Sequence, residues 1–229
     1  MAAVRIPAPL LAASLAALSL NCAAEPFTVR LGVERVVFDT PPGFSDTTDL
    51  ASPRLQDLAA TLTTASNRIL MFALSDEDVR NFTQGEQLDA KRYMIAVTPK
   101  ALERDRVTPT QFNAFISDSL QNLGKLVETD DIVKYLDKQP FGKIVLIAEL
   151  KKEPAAVSVM QATRLPPLPG KAFEKDKAQY LFYTTTIFLL RGKAVQIAVY
   201  SLVGGLADVA WLKTITQRWY DELQRLNAR

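Results

Sequence analysis

The side chains best suited to chemistry in this sequence are carboxylates, and they gather in two places. Ser75-Asp76-Glu77-Asp78 sets three acids in a row, and Glu128, Asp130 and Asp131 form a second knot. Acids at this density could hold a hard cation. A calcium ion takes about six to eight oxygen ligands, and the helix–loop–helix form alternates Asp or Asn about a central glycine. Here the acids are contiguous and no glycine follows at that offset. The same residues have a simpler use. Ser75 with Asp78 three positions on is a helix-start pattern, with acids in the positive first turn. Asp130-Asp131 reads the same way ahead of a short helical turn over residues 132–136. No metal is expected at either place.

Other chemistries are closed by what the chain lacks. Its 229 residues include no histidine and one cysteine, Cys22. That excludes Ser-His-Asp and Cys-His nucleophiles, histidine-ligated metals, an intramolecular disulfide and a cysteine-rich zinc site. Two histidine-free schemes remain. A carboxylate pair could hydrolyse a glycosidic bond, given two acids about 5–10 Å apart in a cleft. The chain has 25 acids and no pattern that selects two. A serine–lysine dyad would show as Ser-x-x-Lys, and no serine after residue 24 has lysine three positions on. Gly-x-Ser-x-Gly, Gly-x-Gly-x-x-Gly and Gly-x-x-x-x-Gly-Lys are all absent. Gly204-Gly205 ahead of a helix could offer backbone N–H groups to an anion, but reads better as a flexible strand-to-helix turn. No catalytic residue and no cofactor are expected.

Basic residues are interleaved with acids, as in Lys171, Glu174, Lys175, Asp176 and Lys177, so no nucleic-acid face is expected. The aromatics are more suggestive. Trp219 falls on a helical apolar stripe, whereas Trp211 lies near that helix's start. Phe44 and Trp211 are the candidate partner-facing pair, at the rim of a ligand or protein site.

Three helices must position these residues. One opens at Ser52-Pro53 and shows Leu55, Leu58, Ala59 and Leu62 on one face. Another opens at Thr108-Pro109, where Thr108 and Gln111 form a capping box and Val107 with Phe112 a hydrophobic staple. Its stripe continues through Leu120 and Leu123, and Gly124 can close it. The last follows Gly204-Gly205 with Asp208 as its expected N-cap. Leu212, Ile215, Trp219, Leu223 and Leu226 recur along it at helical spacing. The rest reads as about eight strands: residues 27–31, 34–38, 69–74, 93–97, 144–150, 157–163, 181–190 and 194–202. In the sixth, Ser158 and Gln161 are expected to face outward. Arg191-Gly192-Lys193 reads as a hairpin turn. Residues 165–170 (LPPLPG) read as a stiff connection between strands. Strands not separated by regular helices argue for an α+β fold, a mainly antiparallel sheet with helices on both faces.

Residues 1–24 read as an export signal. Arg5 precedes an apolar run over residues 10–20 (LLAASLAALSL), and the small side chains of Cys22 and Ala24 suit cleavage after Ala24. Eleven residues are too few for a bilayer core, which needs about 20. Lipidation at Cys22 is a second route, although Ser19 and Asn21 match a lipobox poorly. Membrane association is expected only if this segment is retained or Cys22 is acylated. Cleavage would leave residues 25–229 as one domain without thiol or imidazole. At about 205 residues a chain buries roughly 70% of its unfolded surface and can stand on its core alone.

The layout resembles the PsbP-like superfamily. Three features carry the resemblance: an early strand running into a Pro-Gly-aromatic turn (Val36 to Phe44, VVFDTPPGF), the late apolar hairpin over residues 181–202, and a C-terminal amphipathic helix carrying Trp211 and Trp219 and ending near Asn227. That superfamily includes a photosystem II extrinsic protein, a yeast Ran-binding import factor and many exported bacterial proteins. The resemblance implies an α/β/α sandwich and a non-catalytic habit, and carries over no active-site residues. The expectation is therefore a periplasmic, non-enzymatic binding or accessory protein, engaging an envelope protein or a small ligand. A carboxylate-based hydrolase and a membrane-tethered envelope protein are the alternatives.

Overall fold

The computed structural model describes residues 25–121, 124–129, 131–166, 179–203 and 206–228. Residues 1–24, expected to be an export signal, the heart of the proline-rich stretch and Gly204-Gly205 lie outside the described residues. A short hairpin comes first, β1 (Phe27–Leu31) with β2 (Glu34–Phe38), joined in register from Phe27↔Phe38 to Leu31↔Glu34. Then come β3 (Phe44–Asp46), α1 (Pro53–Thr61), β4 (Asn67–Ser75), α2 (Asp76–Thr83), β5 (Arg92–Pro99), α3 (Pro109–Gln121) and α4 (Ile132–Asp137). The chain continues through β6 (Val145–Glu153), β7 (Ala156–Arg164), β8 (Tyr180–Leu190), β9 (Lys193–Val203) and α5 (Leu206–Leu226).

Seven strands form one sheet in the order β3-β4-β5-β9-β8-β7-β6, and every strand pair in it is antiparallel. The expected fold class is therefore the observed one: α+β, with a mainly antiparallel sheet and helices on both faces. The side-chain period of two sorts the residues. On one face Met71, Met94, Ala96, Met160, Phe182, Ile197 and Val199 pack under α5 (Leu212, Ile215, Trp219, Leu223), with the β1–β2 hairpin and α4 beside it. On the other face α1 covers Phe72, Leu74, Ile95 and Val97. Phe112 and Ile116 of α3 cover Leu146, Val157, Val159 and Ala194.

The capping expectations hold at α2, α3 and α4. Ser75 Oγ accepts from Asp78 N at 3.1 Å, and Asp131 Oδ1 accepts from Lys134 N at 3.0 Å. In α3 the bonds are reciprocal: Gln111 N donates to Thr108 Oγ1 at 3.3 Å and Thr108 N to Gln111 Oε1 at 2.9 Å. At α1, Ser52 occupies the N-cap position but its side chain makes no cap bond.

Other expectations need correction. Nine strands are seen among the described residues rather than about eight, because β3 is only three residues and exists through its pairing with β4. Among the described residues there are five α-helices: the three main ones expected, and α2 and α4, which follow the helix-start patterns at Ser75 and Asp131. Helix α5 starts at Leu206, so Asp208 lies in its first turn instead of capping it. Ser158 and Gln161 are buried, at 3% and 5% exposure. Ser158 Oγ lies 2.7 Å from Thr186 Oγ1 on β8, so a buried neighbour meets the hydroxyl's need for a hydrogen bond. Lys193 belongs to β9, and the turn itself is Arg191-Gly192, with φ of 53° and 76°. Two left-handed residues in a two-residue loop match the right-handed twist of the flanking strands.

Candidate functional site

The two aromatics singled out from the sequence meet. Phe44 follows Pro41-Pro42-Gly43, where Phe44 N donates to Pro41 O at 3.2 Å. Gly43 has φ of 89°, a backbone conformation that favours glycine at the third position of such a turn. The turn delivers the Phe44 ring to Trp211 on the second turn of α5. Their ring centroids are 6.1 Å apart and their planes 30° apart. Phe44 is buried, at 7% exposure, and Trp211 half-buried. Phe44 therefore supports the rim from beneath, and Trp211 carries what the solvent meets.

Arg92 completes the arrangement, and nothing in its local sequence marks it. It begins β5, and its Cζ lies over the Trp211 ring, 4.2 Å from the centroid. Its Nη2 donates to Asp208 Oδ1 at 2.6 Å. The guanidinium is thus fixed by a ring face and by a carboxylate in the first turn of α5.

Beside this rim lies a cleft of about 630 Å³ at the same end of the sheet. Arg92 and Asp208 line it together with Glu77, Asp78 and Asn81 of α2, and with Lys91 and Tyr180. Most of its carboxylates are engaged. Lys91 Nζ sits 2.7 Å from Asp89 Oδ2, which raises the lysine pKa. Asp78, 8% exposed, receives Ser75 Oγ at 2.7 Å and Ala90 N at 3.2 Å. Tyr180 donates to Asp137 Oδ1 at 2.6 Å, and burial, helped by that bond, pushes its phenol up to about 12. The cleft offers held hydrogen-bonding groups more than a poised acid and base. Among the described residues no group of three or more potential metal ligands is placed to hold an ion.

Two further features escaped sequence reasoning. On the opposite sheet face Tyr93, Tyr200 and Tyr183 stack in a row across β5, β9 and β8, at 4.7 Å and 5.2 Å between centroids. Burial pushes Tyr200 up to about 12 and raises the other two as well. They sit in three separate strands, so only the sheet register reveals the row. The second feature is a smaller pocket of about 220 Å³ between Pro41, Pro42, Trp219 and Glu222. Trp219 Nε1 donates to Asp39 O there at 2.9 Å, while Asp39 Oδ1 is buried without a hydrogen-bond partner.

No protein-family model matches this chain, and no curated protein matches it. Among solved structures it is similar to the Saccharomyces cerevisiae Ran-binding protein Mog1p, with 12% identity over 89% of this chain and 94% of that one, at a TM-score of 0.39. A mutant form of Mog1 is similar at 13% identity, over 90% of this chain and 94% of that one, with a TM-score of 0.37.

Proposed function

We propose that this chain is an exported, non-enzymatic binding or accessory protein of a bacterial periplasm, with the PsbP-like layout. Its partner, an envelope protein or a small ligand, engages the rim of Trp211, Arg92 and Asp208 and the cleft beside it. The observation that supports this most is the fixed guanidinium. Arg92 is held by a ring on one side and a carboxylate on another, so little side-chain entropy remains to be lost on binding. Trp and Arg are also the residue types that carry most binding energy in protein interfaces. The absence of histidine and the engagement of Asp78, Asp89 and Asp208 fit a cleft that binds rather than turns over.

Comparative capture tests the reading. Wild type and Trp211→Ala are cross-linked in envelope extracts, and captured species are compared by mass spectrometry. A species held by wild type and lost from Trp211→Ala, at a temperature where both proteins are fully folded, supports the rim as the binding surface. Equal capture by both overturns it. Reproducible hydrolytic turnover that disappears on Glu77→Gln or Asp78→Asn would instead establish the carboxylate hydrolase.

A further inference from the structure

The end of the sheet remote from the cleft carries a different chemistry. The β1–β2 hairpin turns there at Gly32-Val33, and Val33 is 83% exposed. Gly32 has φ of 58°, and a Cβ at that position would lie 2.8 Å from Arg104 O, so the hairpin tip is seated against the loop that follows β5. The same loop is tied to the β8–β9 turn. Val107 N donates to Gly192 O at 2.8 Å, and the Arg106 side chain lies against Gly192. Three loops far apart in sequence thus form one surface, and five exposed arginines stand on it: Arg30, Arg35, Arg104, Arg106 and Arg191.

Few acids oppose them. Glu34 lies 3.7 Å from Arg191 Nε, and Glu103 is taken by Arg68. Asp105 is exposed on the same loop. Arg30 and Arg35 are directly opposed in the hairpin register. Like charges directly across a strand pair destabilise it, and an anion between them removes that cost. Val33 is equally unexplained by the fold. Turn positions favour Gly, Asn, Asp and Ser, and a β-branched apolar side chain exposed there packs on nothing. An apolar tip ringed by arginines has the chemistry of an anionic lipid surface: the arginines meet phosphate headgroups and the tip enters the interface.

We propose that this end of the molecule docks on anionic membranes through Val33 and the surrounding arginines. The docking does not depend on residues 1–24 or on the proposed partner rim. The test is co-sedimentation of the full chain with vesicles of equal parts phosphatidylglycerol and phosphatidylcholine, and with phosphatidylcholine alone, in about 0.1 M salt, where charges are screened over about 10 Å. Residues 1–24 are common to every variant, so differences report on the substituted positions. Wild type is expected to sediment with the anionic vesicles and to be released by raised salt. Arg35→Gln combined with Arg104→Gln is expected to weaken partitioning about 25-fold, roughly fivefold per charge. Val33→Ser is expected to weaken it about tenfold. If the double variant melts early, Arg35→Gln alone carries the test with a roughly fivefold loss. Equal binding to neutral vesicles, or no loss on charge removal, overturns the proposal. A loss on charge removal with none for Val33→Ser also overturns it, since that pattern marks charge-driven adsorption without entry of the tip into the interface.

Discussion

Asn227 and Val37 join the two ends of the described chain through a reciprocal pair of hydrogen bonds. Val37 N donates to Asn227 Oδ1 at 2.9 Å, and Asn227 Nδ2 donates to Val37 O at 2.8 Å. One side-chain amide thereby completes the backbone bonding of β2, as a neighbouring strand would. Its Nδ2 also donates to Leu223 O at 2.9 Å, and the residue is 6% exposed. Asn227→Leu keeps the branched shape and removes the partner of three backbone groups, Val37 N, Val37 O and Leu223 O. The expected cost is about 2–3 kcal/mol, read as a lower urea midpoint with unchanged slope.

Lys193 is 1% exposed and carries its charge into the junction of the three loops at the basic end. Nζ donates to Asp105 O at 2.7 Å and to Glu103 O at 3.1 Å. Lys193→Met retains most of the stem and removes both bonds. Loss of about 1–3 kcal/mol is expected. Hydrogen exchange should quicken at Val107, whose amide bond to Gly192 O shares the junction.

Phe44 and Trp211 touch one another yet should respond unequally. Phe44→Ala empties a buried site and is expected to cost about 3–5 kcal/mol. Trp211→Ala, half-buried, is expected to cost about half as much. Equal losses in thermal melts would place Trp211 in the core and remove it as a rim residue.

Stability should respond to two acids whose burial raises their pKa, Asp39 and Asp46. Asp46 accepts from Thr48 Oγ1 at 2.7 Å and from Phe72 N at 3.2 Å, bonds that favour the carboxylate without offsetting its desolvation. Asp39 faces Glu222, which adds to its rise, and Arg225, which opposes it. A carboxyl with a raised folded pKa binds its proton more tightly when folded. Its contribution is full below the unfolded value, near 3.9, and is lost as pH rises through the folded pKa. Asp39→Asn is therefore expected to raise the melting temperature at pH 7, with the gain fading below about pH 4. A loss at pH 7 would falsify this sign.

What the sequence made legible was local. The capping box of α3 closes within four residues, and two long apolar runs around Arg191-Gly192 admit little but a hairpin. What it hid was made by pairing across the sheet. β3 is a strand because Ser75 and Leu74 lie opposite Phe44 and Ser45. Ser158 appeared outward because its hydroxyl partner, Thr186, arrives only with the next strand. Phe44 and Trp211 stood out by residue type. Arg92 did not, since it gains its meaning from Asp208 and Trp211 on a helix that follows four further strands. The arginines at the opposite end are scattered from residue 30 to residue 191, and antiparallel turns collect them.

The strand order has a kinetic consequence. β5 lies beside β9, with Arg92 opposite Ser201, so the middle of the sheet is sealed by one of the last segments to be made. Until β9 arrives, β3, β4 and β5 form a three-stranded fragment whose inner edge has no neighbour. Such distant pairing slows folding towards the millisecond-to-second range. A nascent chain of this order stays open until nearly its whole length is available, and truncation before Lys193 should leave a fragment prone to edge-to-edge aggregation.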